Sequence, residues 1–378
     1  MSNAIPFIDL GAQRRRLGAS VNDAIMRVVD HGGYIMGPEV FALEADLAAF
    51  CGAKHVISCA NGTDALVLVL MAKNVRPGDA IFCPSFTFAA TAEVVAWLGA
   101  TPVFVDVRDD TFNMDIESLE AGLRTARENG LRPVGVIPVD LFGQPADYDG
   151  IEPFCEREGL WILSDAAQSF GATYKGRRIG TIGEATSTSF FPAKPLGCYG
   201  DGGAIFTDSD ALAEVLVSLR IHGQGTDKYE NVRVGMNGRL DTMQAAVLIE
   251  KLKIFPDEIV ARDRIARRYN DGLRDVALVP ELTEGATSVW AQYTLRVPGF
   301  DRGAFQAGLK DKGVPTAIYY PKPLHQQIAY KHHPVAGTGL PVSERLSQEV
   351  VSLPMHPYLE TEMQDRVINS VRAVLSGS

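Results

Sequence analysis

The chain is poor in several things that would each have decided its class. It has five cysteines in 378 residues: Cys51, Cys59, Cys83, Cys155 and Cys198. The count is odd and no Cys-x-x-Cys pair occurs, so a disulfide framework is not expected and a reducing cytoplasm fits. Basic residues are outnumbered, with 36 Lys and Arg against 46 Asp and Glu and a formal net charge of −10. That balance argues against nucleic acid or an anionic membrane surface as partner, since both need a basic field. No apolar run approaches the roughly 20 residues that span a bilayer. The N-terminus MSNAIPFIDLGAQRRRLG has no continuous apolar core, so no secretory signal is read there. No metal site is expected, because His332 and His333 are adjacent and face apart on most backbones. No internal repeat or low-complexity segment interrupts the chain.

Hydrophobic residues are plentiful at 46%, enough for a large core and more than one domain. From residue 55 the sequence alternates between short apolar runs and helical patterns: HVISC, TDALVLVLMA, AIFCPS, FAATAEVVAWLG, TPVFVDV, a helix near 115–128, VGVIPVDLFG, IEPFCEREG and LWILSDAA. Strands alternating with helices predict a mostly parallel sheet covered on both faces. Past residue 180, EATSTSFF and GGAIFTD read as strands and ALAEVLVSLRIHG as a helix. RLDTMQAAVLIEKLKIF reads as a long helix leading into another at about 257–274. YTLRVPG and VPTAIYY read as strands flanking the helix RGAFQAGLKDKG, and a last helix starts near Glu360. The expected organisation is α/β, with a large domain over residues 1–250 and a smaller α+β domain over 251–378.

Ligands of open α/β sheets bind beyond the carboxyl ends of the strands, and four such ends carry notable residues. In SCANGTDAL, Asn61, Gly62 and Thr63 open a helix, which makes either an anion site or a plain N-cap. In CPSFTFAATAEV, Phe88 follows the strand, as a face for a flat ligand or as core. In WILSDAAQSFGA, Asp165 closes an apolar run and Gln168 follows; a buried acid needs a cation or a cap. In SFFPAKPLGCYGDGGAIFTD, Lys194 sits between two prolines in an apolar, glycine-rich loop. Together they offer N–H donors, an aromatic face, a carboxylate and a desolvated amine. These are what pyridoxal 5'-phosphate requires for its phosphate, its ring, its pyridinium nitrogen and its aldehyde. A nicotinamide enzyme would want G-x-G-x-x-G straight after a strand, and the glycines of GCYGDGG lack that spacing.

NGTDAL, DAAQSFGA, SFFPAKPLGCYGDGGAIFT and GMNGRLDTMQAA resemble the motifs of sugar-nucleotide aminotransferases of the DegT/StrS family, from about residue 5 to the C-terminus. The resemblance implies the aspartate-aminotransferase-like fold (type I of the pyridoxal-phosphate enzymes) and a homodimer with active sites at the subunit interface. It implies Lys194 as the Schiff-base lysine, Asp165 as the pyridinium partner, Gln168 near the ring hydroxyl and Phe88 stacked on the ring. Gly62, Thr63 and Ser189 would hold the phosphate, and Asn237 would reach the phosphate of the other subunit. Lys194, Asp165 and Gln168 together argue against a non-catalytic sensor on the same fold, and a 3-dehydratase of the family would lack the lysine.

HGGYIMGPEV, the lysine loop and SLPMHPYL most resemble enzymes that aminate C3 of UDP-2-acetamido-2-deoxy-3-oxo-glucuronate, with L-glutamate as donor and 2-oxoglutarate as its product. The positions that touch the nucleotide sugar there are Gly32, Tyr34, Arg239, Tyr319 and Tyr320 here. Tyr319 stands where those enzymes carry histidine. Lys322 and His325, in YYPKPLHQQ, read equally as diphosphate contacts or as solvated loop residues. The alternative substrate is a dTDP-linked 3- or 4-keto-6-deoxyhexose.

Overall fold

The computed structural model describes residues 4–227 and 229–377. Helices α1 (Leu10–Leu17), α2 (Ser20–His31) and α3 (Pro38–Cys51) come first. The break in HGGYIMGPE is made by Gly32, which ends α2 in the left-handed region at φ 68°, and by Pro38, which opens α3 where its missing N–H costs nothing.

Next come β1 (His55–Cys59), α4 (Gly62–Ala72), β2 (Asp79–Pro84), α5 (Ala90–Trp97), β3 (Thr101–Val105), α6 (Ile116–Glu128), β4 (Arg132–Val136), α7 (Tyr148–Glu158) and β5 (Trp161–Asp165). A short hairpin of β6 (Thr173–Tyr174) and β7 (Arg177–Arg178) precedes β8 (Ala185–Ser189), β9 (Gly203–Thr207) and α8 (Asp210–Leu219). Seven strands form one sheet in the order β1-β9-β8-β5-β4-β2-β3. Only β9 runs against its neighbours; the other pairings are parallel. The two reversals around β9 leave β1 pointing the same way as β8, so the carboxyl ends of β1, β5 and β8 lie along one edge.

Both faces are covered, which is why the strands read as near-continuous apolar runs. In β2, Ile81 and Cys83 pack with Leu66, Val94 and Leu216 of α4, α5 and α8. Ala80 and Phe82 pack on the other face with Leu119 of α6 and Ile151 of α7. Each such fully buried large side chain contributes roughly 1.5–3 kcal/mol relative to exposure.

Three elements differ from the sequence reading; in VGVIPVDLFG the strand ends at Val136, and Leu141–Gly143 forms a short 3-10 turn. The expected pair of helices around 240–274 is one helix, α9 (Thr242–Leu273), with Pro256 inside it. The proline removes one backbone hydrogen bond, but α9 is anchored on both sides of it. Leu248, Leu252 and Phe255 pack with α3 and the sheet. Ile265, Tyr269 and Leu273 pack in a second core with β10 (Tyr293–Arg296), α10 (Arg302–Asp311) and α12 (Thr361–Ser376). The third correction is VPTAIYY, which is not a strand. Ala317 makes a single bridge to Ser352, and Pro315 has no N–H to give a ladder. The partner of β10 is β11 (Val350–Leu353), antiparallel, which follows directly on α11 (Pro341–Glu349).

Candidate active site

The row Cys59, Gly203, Ser189 crosses β1, β9 and β8 at their common edge. Two glycines let the backbone close there. A side-chain carbon on Gly203 would lie 2.4 Å from the Asn61 carbonyl oxygen, and one on Gly62 would lie 2.7 Å from Ser189 Cβ. Asn61 caps α4, its side chain accepting from the Asp64 N–H at 2.8 Å. The N-cap reading is therefore correct for Asn61. The cap serves one of the first-turn donors, and the N–H groups of Gly62 and Thr63 have no acceptor among the described residues. With the Ser189 hydroxyl beside them, they form a cradle at a helix N-terminus.

Beside it, β5 and β8 pair with Asp165 opposite Ser187. Asp165 is buried. Its carboxylate accepts from Thr91 Oγ1 at 3.0 Å and from the Ala167 N–H at 3.2 Å. Burial raises its pKa, while the two hydrogen bonds and the Lys194 charge oppose the rise. Lys194 lies on the loop between β8 and β9, its own N–H held by the Phe191 carbonyl at 2.8 Å. Burial lowers its pKa and the Asp165 charge partly offsets this. Its amine makes no hydrogen bond or ion pair among the described residues. Asp165 and the half-buried Lys194 are therefore coupled through their charges, with no direct bond between them among the described residues.

Gln168 accepts from the Phe142 N–H at 2.8 Å and donates to the Tyr320 hydroxyl at 3.3 Å. Tyr320 packs 6.3 Å from Phe88, centroid to centroid. Phe88 is 59% exposed, so it is a bare aromatic face and not core. Behind the site lies Asp140, fully buried, which accepts from Ala146 N, Tyr148 Oη and Ser169 Oγ. Burial pushes its carboxyl up to about 7. It ties β5 to the turn that carries Gln168.

A second group surrounds a cavity of about 410 Å³ lined by Ile35, Ala60, Gly200, Asp201, Asn237, Arg239, Asp241 and Gln244. Tyr34 and Gly32 are exposed on the neighbouring turn, and the Tyr34 carbonyl accepts from the Thr242 N–H at 3.0 Å. Asn237 is exposed; Arg239 is half-buried, and its buried Nε has no acceptor among the described residues. No hydrogen bond, ion pair or ring contact among the described residues joins this group to Lys194, Asp165 or Gln168 of the same chain.

Tyr319 packs edge-on to Tyr320 at 5.9 Å, and Lys322 is exposed. His325 is neither a free diphosphate ligand nor a solvated loop residue. Its Nδ1 meets Ser85 Oγ at 2.7 Å and its Nε2 meets Glu344 at 3.0 Å, so both ring nitrogens are engaged within the fold. Thr91 and Asp140 escaped the sequence reading. Thr91 looked like any residue of an apolar helix, and Asp140 lay inside an expected strand.

The family model for DegT/DnrJ/EryC1/StrS aminotransferases matches residues 16–372. The chain belongs to this family. The aminotransferase is 49% identical over 358 residues to UDP-2-acetamido-2-deoxy-3-oxo-D-glucuronate aminotransferase of Pseudomonas aeruginosa, covering 94% of this chain and 96% of that one. It is 38% identical to dTDP-3-amino-3,4,6-trideoxy-alpha-D-glucose transaminase of Streptomyces venezuelae, covering 97% and 95%. Among solved structures it resembles a family member from Brucella abortus, with a TM-score of 0.96, 55% identity and 98% and 99% coverage. It also resembles NtdA of Bacillus subtilis with bound cofactor PMP, at 0.90 and 28%, over 100% and 86%. The enzyme is pyridoxal-phosphate dependent, and its residues fit that cofactor. The Gly62–Ser189 cradle is too close for any other residue at 62, the buried Asp165 and the half-buried Lys194 feel one another's charge, and Phe88 offers an open face. No helix among the described residues is long and apolar enough to cross a membrane.

Proposed function

We propose that this aminotransferase moves an amino group from L-glutamate to C3 of a UDP-linked 2-acetamido-3-keto-uronate, for amino-sugar units of an O-antigen polysaccharide made in the cytoplasm. The observation that carries the substrate is near-full-length similarity to the glucuronate aminotransferase, at 49% identity against 38% for the dTDP-sugar enzyme. The Arg239 guanidinium, whose buried Nε has no acceptor among the described residues, supports it as a group that can receive a carboxylate.

In this reading Lys194 would hold the cofactor, and its amine, once free, would serve as the acid–base group that takes up and returns the substrate proton. A depressed pKa suits that work, because the free amine is available near neutral pH. Asp165 holds the proton on the ring nitrogen, with Thr91 and Ala167 fixing its orientation. Gln168 would hold the ring hydroxyl, Phe88 would cover the ring, and Gly62, Thr63 and Ser189 would hold the phosphate. The cofactor supplies an electron sink for the carbon that loses its proton. Tyr320, tied to Gln168, couples the sugar side of the site to the cofactor side. Gly32, Tyr34, Arg239, Tyr319 and Lys322 complete the nucleotide-sugar side; His325 supports the wall from behind.

The test is the reverse reaction on a panel of amino-sugar nucleotides with 2-oxoglutarate. The UDP-linked 3-amino uronate should turn over fastest. Preferred turnover of a dTDP-linked 6-deoxy amino sugar would replace the substrate while leaving the aminotransferase in place. Tyr319, in place of histidine, is what favours that second reading.

The motif GMNGR, whose family counterpart reaches the phosphate of the other subunit, supports a homodimer with shared sites; Asn237 and Arg239 line a cavity with Gly200 and Asp201 of the lysine loop and make no direct contact with Lys194 among the described residues. Inactive Lys194→Ala and inactive Asn237→Ala chains, mixed under conditions of subunit exchange, should regain activity, because one of the two hybrid sites has both residues. Absence of recovery, with hybrids verified by mass, would mean that each site is built from one chain.

A further inference from the structure

The loop that carries Lys194 is a closed turn. The Cys198 N–H donates to the Phe190 carbonyl at 2.8 Å, and the Phe190 N–H to the Gly202 carbonyl at 2.7 Å. Gly197 is wedged inside it: a side-chain carbon there would lie 2.5 Å from the Phe191 carbonyl oxygen and 2.6 Å from that of Pro192. The turn touches α9 at two polar points. Gln244 Oε1 accepts from the Tyr199 N–H at 2.8 Å. Lys251 Nζ donates to the Gly197 carbonyl at 2.6 Å and sits 4.5 Å from the centre of the Tyr199 ring.

Lys251 is an unusual residue for this place. It is 1% exposed, and a buried amine without a carboxylate partner costs stability. Glu258, the acid nearest in charge, is engaged by Gln13 and by the Tyr358 hydroxyl. Burial pushes the Lys251 pKa down to about 8, against the Glu258 charge. The one hydrogen bond its amine makes among the described residues goes to the Gly197 carbonyl, so what the amine adds over an apolar side chain of that length is a tie to the turn.

We propose that Lys251 is a positioning residue: it fixes the Gly197 carbonyl, and through it the turn that aims the Lys194 amine at the cofactor. The proposal rests on the reading of Lys194 given above. Lys251 touches neither cofactor nor substrate in this role.

The test compares wild type with Lys251→Met, which keeps length and loses the donor, and Lys251→Gln, which keeps a donor one atom short. Three quantities are read: amide hydrogen exchange of residues 190–199 in cofactor-free protein, the pH titration of the near-visible band of the loaded protein, and the single-turnover rate with L-glutamate at saturation. Lys251→Met should raise exchange in the turn and displace the titration. Its saturated rate should fall at least about tenfold, as expected for a small misplacement of a reacting group, with little change in glutamate affinity. Lys251→Gln should fall between. Lys251→Met with wild-type exchange, titration and rate overturns the proposal; should that variant not fold, Lys251→Gln matching wild type in all three overturns it. Borohydride reduction of the wild type separates the two readings. A label on a lysine other than Lys194 refutes the site assignment itself, whereas a label on Lys194 with unaffected variants refutes only the role of Lys251.

Discussion

Replacing Lys194 with alanine is expected to lower transamination at least about 10⁴-fold, the scale set by losing both a covalent anchor and a positioned acid–base group. It should do so without unfolding the protein. The Lys194 amine makes no hydrogen bond or ion pair among the described residues, so its removal breaks no such bond, and the interaction lost is its charge on the buried Asp165. Burial depresses its pKa, and the sign of the resulting linkage is definite. Below the ordinary lysine value near 10.4, the unfolded chain holds the proton more readily than the native one, so stability from this group is reduced there and recovers as pH rises. Cofactor-free Lys194→Ala should therefore lose that part of the pH slope and stay folded near pH 7, the relief of the desolvated amine being opposed by the loss of Asp165's charge partner. Urea midpoints measured between pH 7 and 10 check this, beside spectra and borohydride peptide mapping of the wild type. Midpoints that drop with the activity would make Lys194 a structural residue instead.

The approach of Asp165 and the lysine loop was readable because Asp165 closes one strand and the loop follows the next, and neighbouring strands end together in a parallel sheet; Asp165 pairs with Ser187 of β8. The cradle at Gly62 was readable for the same reason. What held those groups in place was not. Thr91 orients Asp165 from within FAATAEVV, where a threonine in a helix carries no positional signal. Lys251 lies in EKLKIF, where alternate charges suggest a solvated face, and only the packing of α9 buries it. Two helices were expected around 240–274 because propensity is local, whereas the cores that keep α9 continuous across Pro256 are assembled from distant segments. His325 was left open between two exposed roles because its partners, Ser85 and Glu344, are 240 and 19 residues away.

Arg239→Ala is expected to weaken binding of a UDP-linked keto-uronate by about 2–5 kcal/mol, on the order of 30- to 5,000-fold. The half-buried guanidinium has a buried Nε with no acceptor among the described residues. Its cavity is also lined by Asp201 and Asp241. An anion entering there meets two like charges, so Arg239 must offset them as well as bind. A carboxylate can take the planar fork through two parallel hydrogen bonds, which an ammonium cannot reproduce, so Arg239→Lys should recover little. A neutral keto sugar has nothing to place on the fork. For it the same substitution should cost far less, through lost packing of the arginine stem alone. In the shared-site reading the effect falls on the neighbouring subunit, so a hybrid dimer carrying one Arg239→Ala chain should keep one strong site and lose the other. Titration calorimetry of the uronate and of a 6-deoxy sugar nucleotide, on wild type and both variants, measures the difference. Equal losses for the two ligands would remove the carboxylate from the Arg239 site and shift the substrate toward the neutral sugars.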